Sequence, residues 1–316
     1  MKNRKAIIVG LSSTKLKDYE KKFLLKNKPW GVILFTRNII NIDQAKKLVF
    51  QIKKCFKDPN YPILIDEEGG RVSRLKRIID TSLFTSQYFS KIYQNNKKKF
   101  FLYYELYVNS ISSILNSIGV NINTVPVLDI CRKKTSKIIG NRSFSSNPKV
   151  VSKLGNYCIN LYSKNKIATV IKHMPGHGLA KVDSHVSTPI ILEGKKILNK
   201  IDFSVFKNKK TFLAMTAHII YKNFDPNYTA THSKIIIKKI IRKKLKYKNI
   251  IISDDISMKS LKFDFKNNVL KAFDAGCNLI LHCNGKIKEM NELADISPKI
   301  DNFTLKKTSQ LYRFLL

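Results

Sequence analysis

No run of 18 uninterrupted apolar residues occurs in the 316-residue chain, so no segment is expected to cross a bilayer as a helix. The opening MKNRKAIIVG holds an apolar run of five before Ser12 and Ser13, too short for a signal-peptide core, so a soluble cytoplasmic protein is the expectation. The five cysteines (Cys55, Cys131, Cys158, Cys277 and Cys283) are odd in number, widely spaced and without a C-x-x-C pair, which argues against a disulfide framework and a zinc site alike. Only 12 glycines and 9 prolines are present, too few for a fibrous or disordered chain. Acidic residues are also sparse, 22 against 59 lysines and arginines, for a formal charge of +37. Such a balance directs attention to polyanions. The excess, however, is mostly lysine scattered along the whole chain, arginine is scarce, and no recognition-helix, ribonucleoprotein or zinc-finger signature accompanies it. Lysine, isoleucine and asparagine are over-used together, as A/T-rich codons would produce. The reading is a solvated lysine surface, with no specific nucleic-acid partner, no membrane insertion and a monomeric chain.

With 43% hydrophobic residues, the chain can bury a large core. Short apolar runs rich in Ile and Val recur: AIIVG (6–10), GVILF (31–35), PILID (62–66), INTVPVLDI (122–130), ATVIKHM (168–174), FLAMTAHI (212–219), NIIISDD (249–255) and LILHC (279–283). Their weak alternation and β-branched content predict strands buried on both faces, as in a parallel sheet. Helical patterns lie between them. NIDQAKKLVFQIKKCF (41–56) carries a candidate cap at Asp43. KIIIKKIIRKKLKYK (234–248) places Ile236, Ile237, Ile240, Ile241 and Leu245 on one face and lysines on the other. Eight strands alternating with helices predict an α/β fold, a single (β/α)8 TIM-like barrel occupying 1–316 as one domain. A doubly wound open sheet is the alternative, but no Gly-rich dinucleotide fingerprint follows the first strand.

Polar residues crowd the carboxyl ends of these runs: Asp66-Glu67-Glu68-Gly69-Gly70-Arg71, Lys172-His173, His218 and Ser253-Asp254-Asp255. In a barrel those ends share one mouth, where catalytic groups sit. The segment KHMPGHGLAKVDSH (172–185) concentrates three of the six histidines within thirteen positions. Zinc ligation by His173, His177 and His185 is disfavoured, because Pro175 and Gly176 prevent a helix from presenting the first two on one face. The PGHG pattern also lacks the Lys-Ser/Thr end of a phosphate-binding loop. No metal and no cofactor is expected.

Taken together, VILFTRN (32–38), IDEEGGRVSR (65–74), VPVLDI (125–130), GNRSF (140–144), KHMPGHG (172–178), DSH (183–185), AHIIY (217–221), ISDDISM (252–258) and AGCNLIL (275–281) resemble the bacterial β-N-acetylhexosaminidases of glycoside hydrolase family 3. The resemblance runs in order from about Val32 to Asn284. It implies a retaining glycosidase of the cytoplasm that removes terminal GlcNAc from muropeptide-type fragments (GlcNAc-anhydroMurNAc peptides) during peptidoglycan recycling. By the same resemblance Asp254 is the nucleophile, and His185 with Asp183 supplies acid–base catalysis. An Asp two residues from a histidine is suited to fix its tautomer and stabilise imidazolium, and an imidazole near neutrality both donates and accepts a proton. Asp66, Arg74, Arg142, Lys172 and His173 are the implied sugar-hydroxyl contacts. For Arg71 an ion pair with Glu67 or Glu68 competes with substrate binding, His177 is expected to shape its loop, and His218 is either a site residue or a satisfied core histidine. Asp255 fits a cap for a helix beginning near Ser257. Phosphorolysis, with phosphate replacing water, and a decayed barrel binding polyanions are the competing functions. Against the family's pattern, the chain is unusually basic and short after Asn284, so trimmed late helices are expected.

Overall fold

The computed structural model describes residues 1–132, 138–182 and 187–316. Its strands in chain order are β1 (Lys5–Gly10), β2 (Pro29–Leu34), β3 (Ile63–Ile65), β4 (Ile122–Asn123), β5 (Ala168–Met174), β6 (Ile190–Ile191), β7 (Leu213–Thr216), β8 (Ile220–Tyr221), β9 (Ile250–Asp255) and β10 (Leu279–His282). Eight of them close a barrel in the order β1-β2-β3-β4-β5-β7-β9-β10, every neighbouring pair parallel. Each of the eight apolar runs contributes one barrel strand, as the sequence predicts. β4 is shorter than the run that contains it. Beyond Asn123 the chain follows β5 only through the Val127–Lys172 bridge, where the Leu128 N–H donates to the Lys172 carbonyl at 2.8 Å.

The weak alternation of the runs has a direct cause. One set of side chains, including Ile8, Leu64, Val170, Met215, Ile252 and Leu281, fills the barrel interior. The alternate set, including Ile7, Val9, Val32, Leu34, Ile63 and Ile65, packs outward under the helices. Both faces are dry, so both carry apolar residues.

Helices α1 (Asp18–Asn27), α2 (Ile42–Phe56), α3 (Ser86–Asn95), α4 (Lys97–Ile118), α5 (Pro148–Lys164), α6 (Lys195–Lys200), α7 (Phe265–Ala275), α8 (Ile287–Ile296) and α9 (Asn302–Leu315) surround the barrel. Asn41, rather than Asp43, caps α2, its side chain accepting from the Gln44 N–H at 2.9 Å. Asp43 lies in the first turn, where its charge still favours the helix N-terminus. The 234–248 pattern folds as a π-helix over Ile235–Lys244 with Ile236, Ile237, Ile240, Ile241 and Leu245 buried. Its wider turn gathers adjacent pairs of isoleucines onto one face.

The end of the chain is not trimmed of helix. α8 and α9 are both formed, and α9 covers the amino-terminal mouth of the barrel. There the sole tryptophan, fully buried Trp30, donates its indole N–H to Thr308 Oγ1 at 2.8 Å, and Leu311 joins the interior cluster. Arg4 reaches Asp58 at 2.5 Å and the Tyr312 hydroxyl at 2.7 Å, tying the same helix to the first strand. Substituting Thr308→Val keeps the shape but leaves a buried indole N–H without its acceptor. Unfolding in urea followed by Trp30 fluorescence should show a loss of about 1–3 kcal/mol, and an unchanged midpoint would show that α9 is not held by this bond.

Candidate active site

At the carboxyl ends of β3, β5 and β9, a cavity open to solvent is lined by Asp66, Arg74, Arg142, Lys172, His173 and Asp254 among others. Six of the eight site residues named from the sequence therefore meet in one place. The other two, Asp183 and His185, lie outside the described residues.

The centre of the cavity wall is an ionic cluster. Lys172, only 2% exposed, stands at 2.5 Å from Glu68 Oε1 and also donates to Asp66 Oδ1. Arg142 forks onto Glu68 through Nε and Nη2, both at 2.7 Å. Arg74 bonds Asp66 Oδ2 at 2.7 Å, and the Thr124 hydroxyl bonds Asp66 Oδ1 at 2.6 Å. Burial alone would raise the Asp66 carboxyl; Lys172 and Arg74 outweigh it and hold it well below the usual carboxylate range. Burial likewise opposes ionisation of Glu68, but Arg142 and Lys172 win and lower it. The cluster keeps two carboxylates charged in a dry wall, each pointing lone pairs and counter-charges at a fixed geometry.

A second cluster stands on β5 and the chain after β4. Buried Asp129 accepts from His173 Nδ1 at 2.6 Å and from the His177 backbone N–H at 2.6 Å. As a carboxylate, Asp129 accepts only, so the His173 proton sits on Nδ1. The His173 and His177 rings meet edge to face with centroids 5.5 Å apart. Burial, reinforced by His173, pulls His177 down to about 4, so this ring is neutral at pH 7. His177 lines the cavity.

On β9, Asp254 faces the cavity, and its Oδ1 accepts the Asp255 N–H at 2.8 Å. Burial would raise its carboxyl, yet His173, His218, the Asp255 N–H and Lys172 together lower it. Asp255 turns elsewhere, accepting from the Ser257 N–H at 3.1 Å and the Cys283 N–H at 3.2 Å. Among the described residues no helix begins near Ser257, so Asp255 pins a turn rather than capping a helix; the next helix, α7, is capped by Asp264.

The EEGGR segment is arranged differently from the expected ion pair. Glu67, 1% exposed, folds under the loop and accepts the N–H groups of Arg74 and Leu75 at 2.5 and 3.0 Å. Burial lifts it to about 6. Arg71 donates to the Ile138 carbonyl, and among the described residues it makes no ion pair with Glu67 or Glu68, because both carboxylates are already engaged inside. Gly69 and Gly70 have φ of 83° and 60°, the left-handed turn that lets the chain double back over Glu67.

Sequence reasoning gave no role to Asp129 or Thr124, and saw in Glu68 only a candidate partner for Arg71. A signal was available for the two acids, since Glu68 stands just past the third run and Asp129 near the end of the fourth, but an acid there is as easily a cap or a salt bridge. Among the described residues, no three His, Cys, Asp or Glu side chains are grouped to hold a metal ion.

The loop after β5 is tied at both ends to one short element. The Tyr221 hydroxyl donates to the Gly176 carbonyl at 2.5 Å, while β8, which contains Tyr221, pairs in parallel with β6 at Ile191–Tyr221. The Ile220 N–H also takes the Pro189 carbonyl at 3.0 Å.

The chain matches the model of the glycosyl hydrolase family 3 N-terminal domain over residues 4–309. It is 32% identical over 296 residues to a beta-hexosaminidase of Hydrogenovibrio crunogenus, covering 92% of this chain and 82% of that one. A beta-hexosaminidase of Haemophilus influenzae is 32% identical over 285 residues, 88% and 79% of the two chains. Among solved structures, NagZ from Neisseria gonorrhoeae in complex with N-trifluoroacetyl-D-glucosamine superposes with a TM-score of 0.87 at 28% identity, covering 99% of this chain and 90% of that one.

Lys172→Met tests the ionic cluster. Removing the ammonium strands two buried carboxylates, so stability at pH 7 should fall by about 3–5 kcal/mol. Both carboxyls are lowered in the folded protein, so their contribution is present above the unfolded carboxylate range and fades as pH drops below it. The difference between variant and parent should therefore shrink below about pH 4, as denaturant titrations at pH 7 and pH 3.5 would read out. An equal loss at both would assign the effect to packing alone.

Proposed function

We propose, since the chain belongs to glycosyl hydrolase family 3, that it is an exo-acting, retaining β-N-acetylglucosaminidase. Its substrate would be the terminal non-reducing GlcNAc of muropeptide-type fragments, GlcNAc-anhydroMurNAc peptides, handled in the cytoplasm by a single catalytic barrel domain acting as a monomer. The observation that carries the reading is Asp254: a carboxylate at a strand end, kept ionised against burial, opening onto a cavity whose wall is set with fixed charges.

In this reading the Asp254 carboxylate attacks the anomeric carbon as the glycosidic C–O bond breaks, giving a glycosyl ester. His185 gives its proton to the departing oxygen in the first step. In the second it takes a proton from the water that cleaves the ester, and Asp183 supports the imidazolium between the two. Asp66, Arg74, Lys172, Arg142 and His173 hold the sugar by its hydroxyls and its substituent at C2. A rigid pyranose suits them because the protein's own ion pairs already fix these groups, so little order is lost on binding. Among the described residues no helix is long and apolar enough to cross a membrane, which is compatible with a cytoplasmic site of action.

The test has two arms. A nitrophenyl β-GlcNAc glycoside should be hydrolysed and the β-glucoside hardly at all. A slowly released 2-fluoro sugar should add one glycosyl mass to the peptide containing Asp254, and Asp254→Asn should lose at least ~10³-fold in kcat. Wild-type turnover in that variant, or an adduct on another peptide, would refute the assignment.

His185→Ala gives the independent check on acid–base catalysis. The loss should approach ~10²–10⁴-fold for a poor leaving group and become small for an activated phenol. A uniform loss across leaving groups would remove His185 from that role.

A further inference from the structure

His218 lies just past the end of β7, 1% exposed. Its Nε2 is 3.0 Å from the Asp255 carbonyl oxygen, and its Nδ1 is 2.7 Å from Thr231 Oγ1. Thr231 Oγ1 is in turn 2.8 Å from Thr216 Oγ1, and both threonines are fully buried. The chain after β8 returns to bring Thr231 here, the Ala230 N–H donating to the Ile219 carbonyl at 2.7 Å.

The direction of each bond follows from what each atom is able to do. A carbonyl oxygen accepts only, so the proton on His218 sits on Nε2. In a neutral ring Nδ1 then accepts, and it takes the hydroxyl proton of Thr231. With that proton committed, Thr231 Oγ1 accepts from Thr216. The result is a relay of donors, Thr216 to Thr231 to His218 to the Asp255 carbonyl, with the Ala217 carbonyl a second, longer acceptor for the Thr231 hydroxyl at 3.3 Å, and it ends one peptide unit from Asp254. Asp254 itself is anchored to the same residue, because its Oδ1 accepts the Asp255 N–H at 2.8 Å. Both sides of residue 255 are therefore pinned: the carbonyl by an imidazole, the N–H by the carboxylate it orients.

We propose that His218 is a positioning residue for the Asp254 carboxylate, acting through the backbone of Asp255, with Thr231 and Thr216 supporting the imidazole tautomer that the Asp255 carbonyl requires. The inference rests on the reading of Asp254 as the nucleophile. A carboxylate attacking a single carbon gains from a fixed approach, and misplacement by about 1 Å costs on the order of 10²-fold in rate. His218 also belongs to the charged surroundings of Asp254. Among the described residues, the titratable and charged groups around it include Lys172 and His173 from β5, His177 in the loop after it, Asp66 and Arg74 after β3, Arg142, Cys283 after β10 and Asp255 on its own strand. Loss of the imidazole removes one of the influences that lower the carboxyl.

The experiment compares His218→Phe, His218→Gln and Thr231→Val on a nitrophenyl β-GlcNAc substrate. It measures kcat, KM, the acid limb of kcat/KM against pH, and the rate of labelling by the 2-fluoro sugar. His218→Phe should lower kcat and the labelling rate by ~10–100-fold, leave KM within about twofold, and move the acid limb upward. His218→Gln keeps an N–H for the Asp255 carbonyl and should recover most of the rate. Thr231→Val should fall between wild type and His218→Phe. A His218→Phe enzyme with wild-type kcat, labelling rate and acid limb would overturn the proposal. So would a glutamine variant as slow as phenylalanine when both are fully folded. If His218→Phe fails to fold, the glutamine and valine variants decide the matter by the same readouts. Activity surviving in Asp254→Asn would instead overturn the nucleophile reading, leaving the two failures distinguishable.

Discussion

The buried ammonium of Lys172 is the interaction on which the site depends. It neutralises two carboxylates from the β3 end, and each of those holds an arginine from a different part of the chain, Arg74 and Arg142. Without the cation the two acids would repel each other in a medium that screens poorly, and the arginines would lose their fixed anchors. Arginine suits the position beside Glu68 because the planar fork of Arg142 meets that carboxylate in two bonds, whereas a compact ammonium fits between two acids. In a glycoside hydrolase such a wall is built before the sugar arrives.

Much of the architecture was legible because burial on both faces of a parallel strand writes itself as continuous Ile and Val. All eight barrel strands announced themselves in this way. What stayed illegible depended on distances along the third dimension. Asp43 and Asn41 are equally good caps on paper, and only the backbone geometry at Asn41 separates them. The isoleucine pairs of 234–248 read as an ordinary helix, since the pattern does not distinguish a wider turn over one short segment. Arg71 looked like a partner for Glu67 or Glu68 because it is near them in sequence, but Glu68 is taken by Arg142 and Lys172, 74 and 104 positions away, and Glu67 by N–H and hydroxyl groups of its own loop. Glu68 and Asp129 could not be told from structural acids until their partners were visible. The tail after Asn284 looked too short and too basic for full helices, yet the Trp30–Thr308 contact makes α9 part of the barrel floor.

The charge of the chain is divided by depth. Five of its 22 acids, Asp66, Glu67, Glu68, Asp129 and Asp254, line or underlie the cavity or its loops. The outer lysines are left with little to pair with, and exposed contacts such as Lys164–Glu105 at 3.8 Å add little to stability. A strongly basic surface and an acid-rich interior thus coexist without either dictating the other.

Anchoring the two stems of the β5 loop to the Tyr221 segment separates the fate of the barrel from the composition of what lies between the stems. A shift of that segment would carry both stems with it, so the two ends of the loop move as one while the barrel strands stay paired.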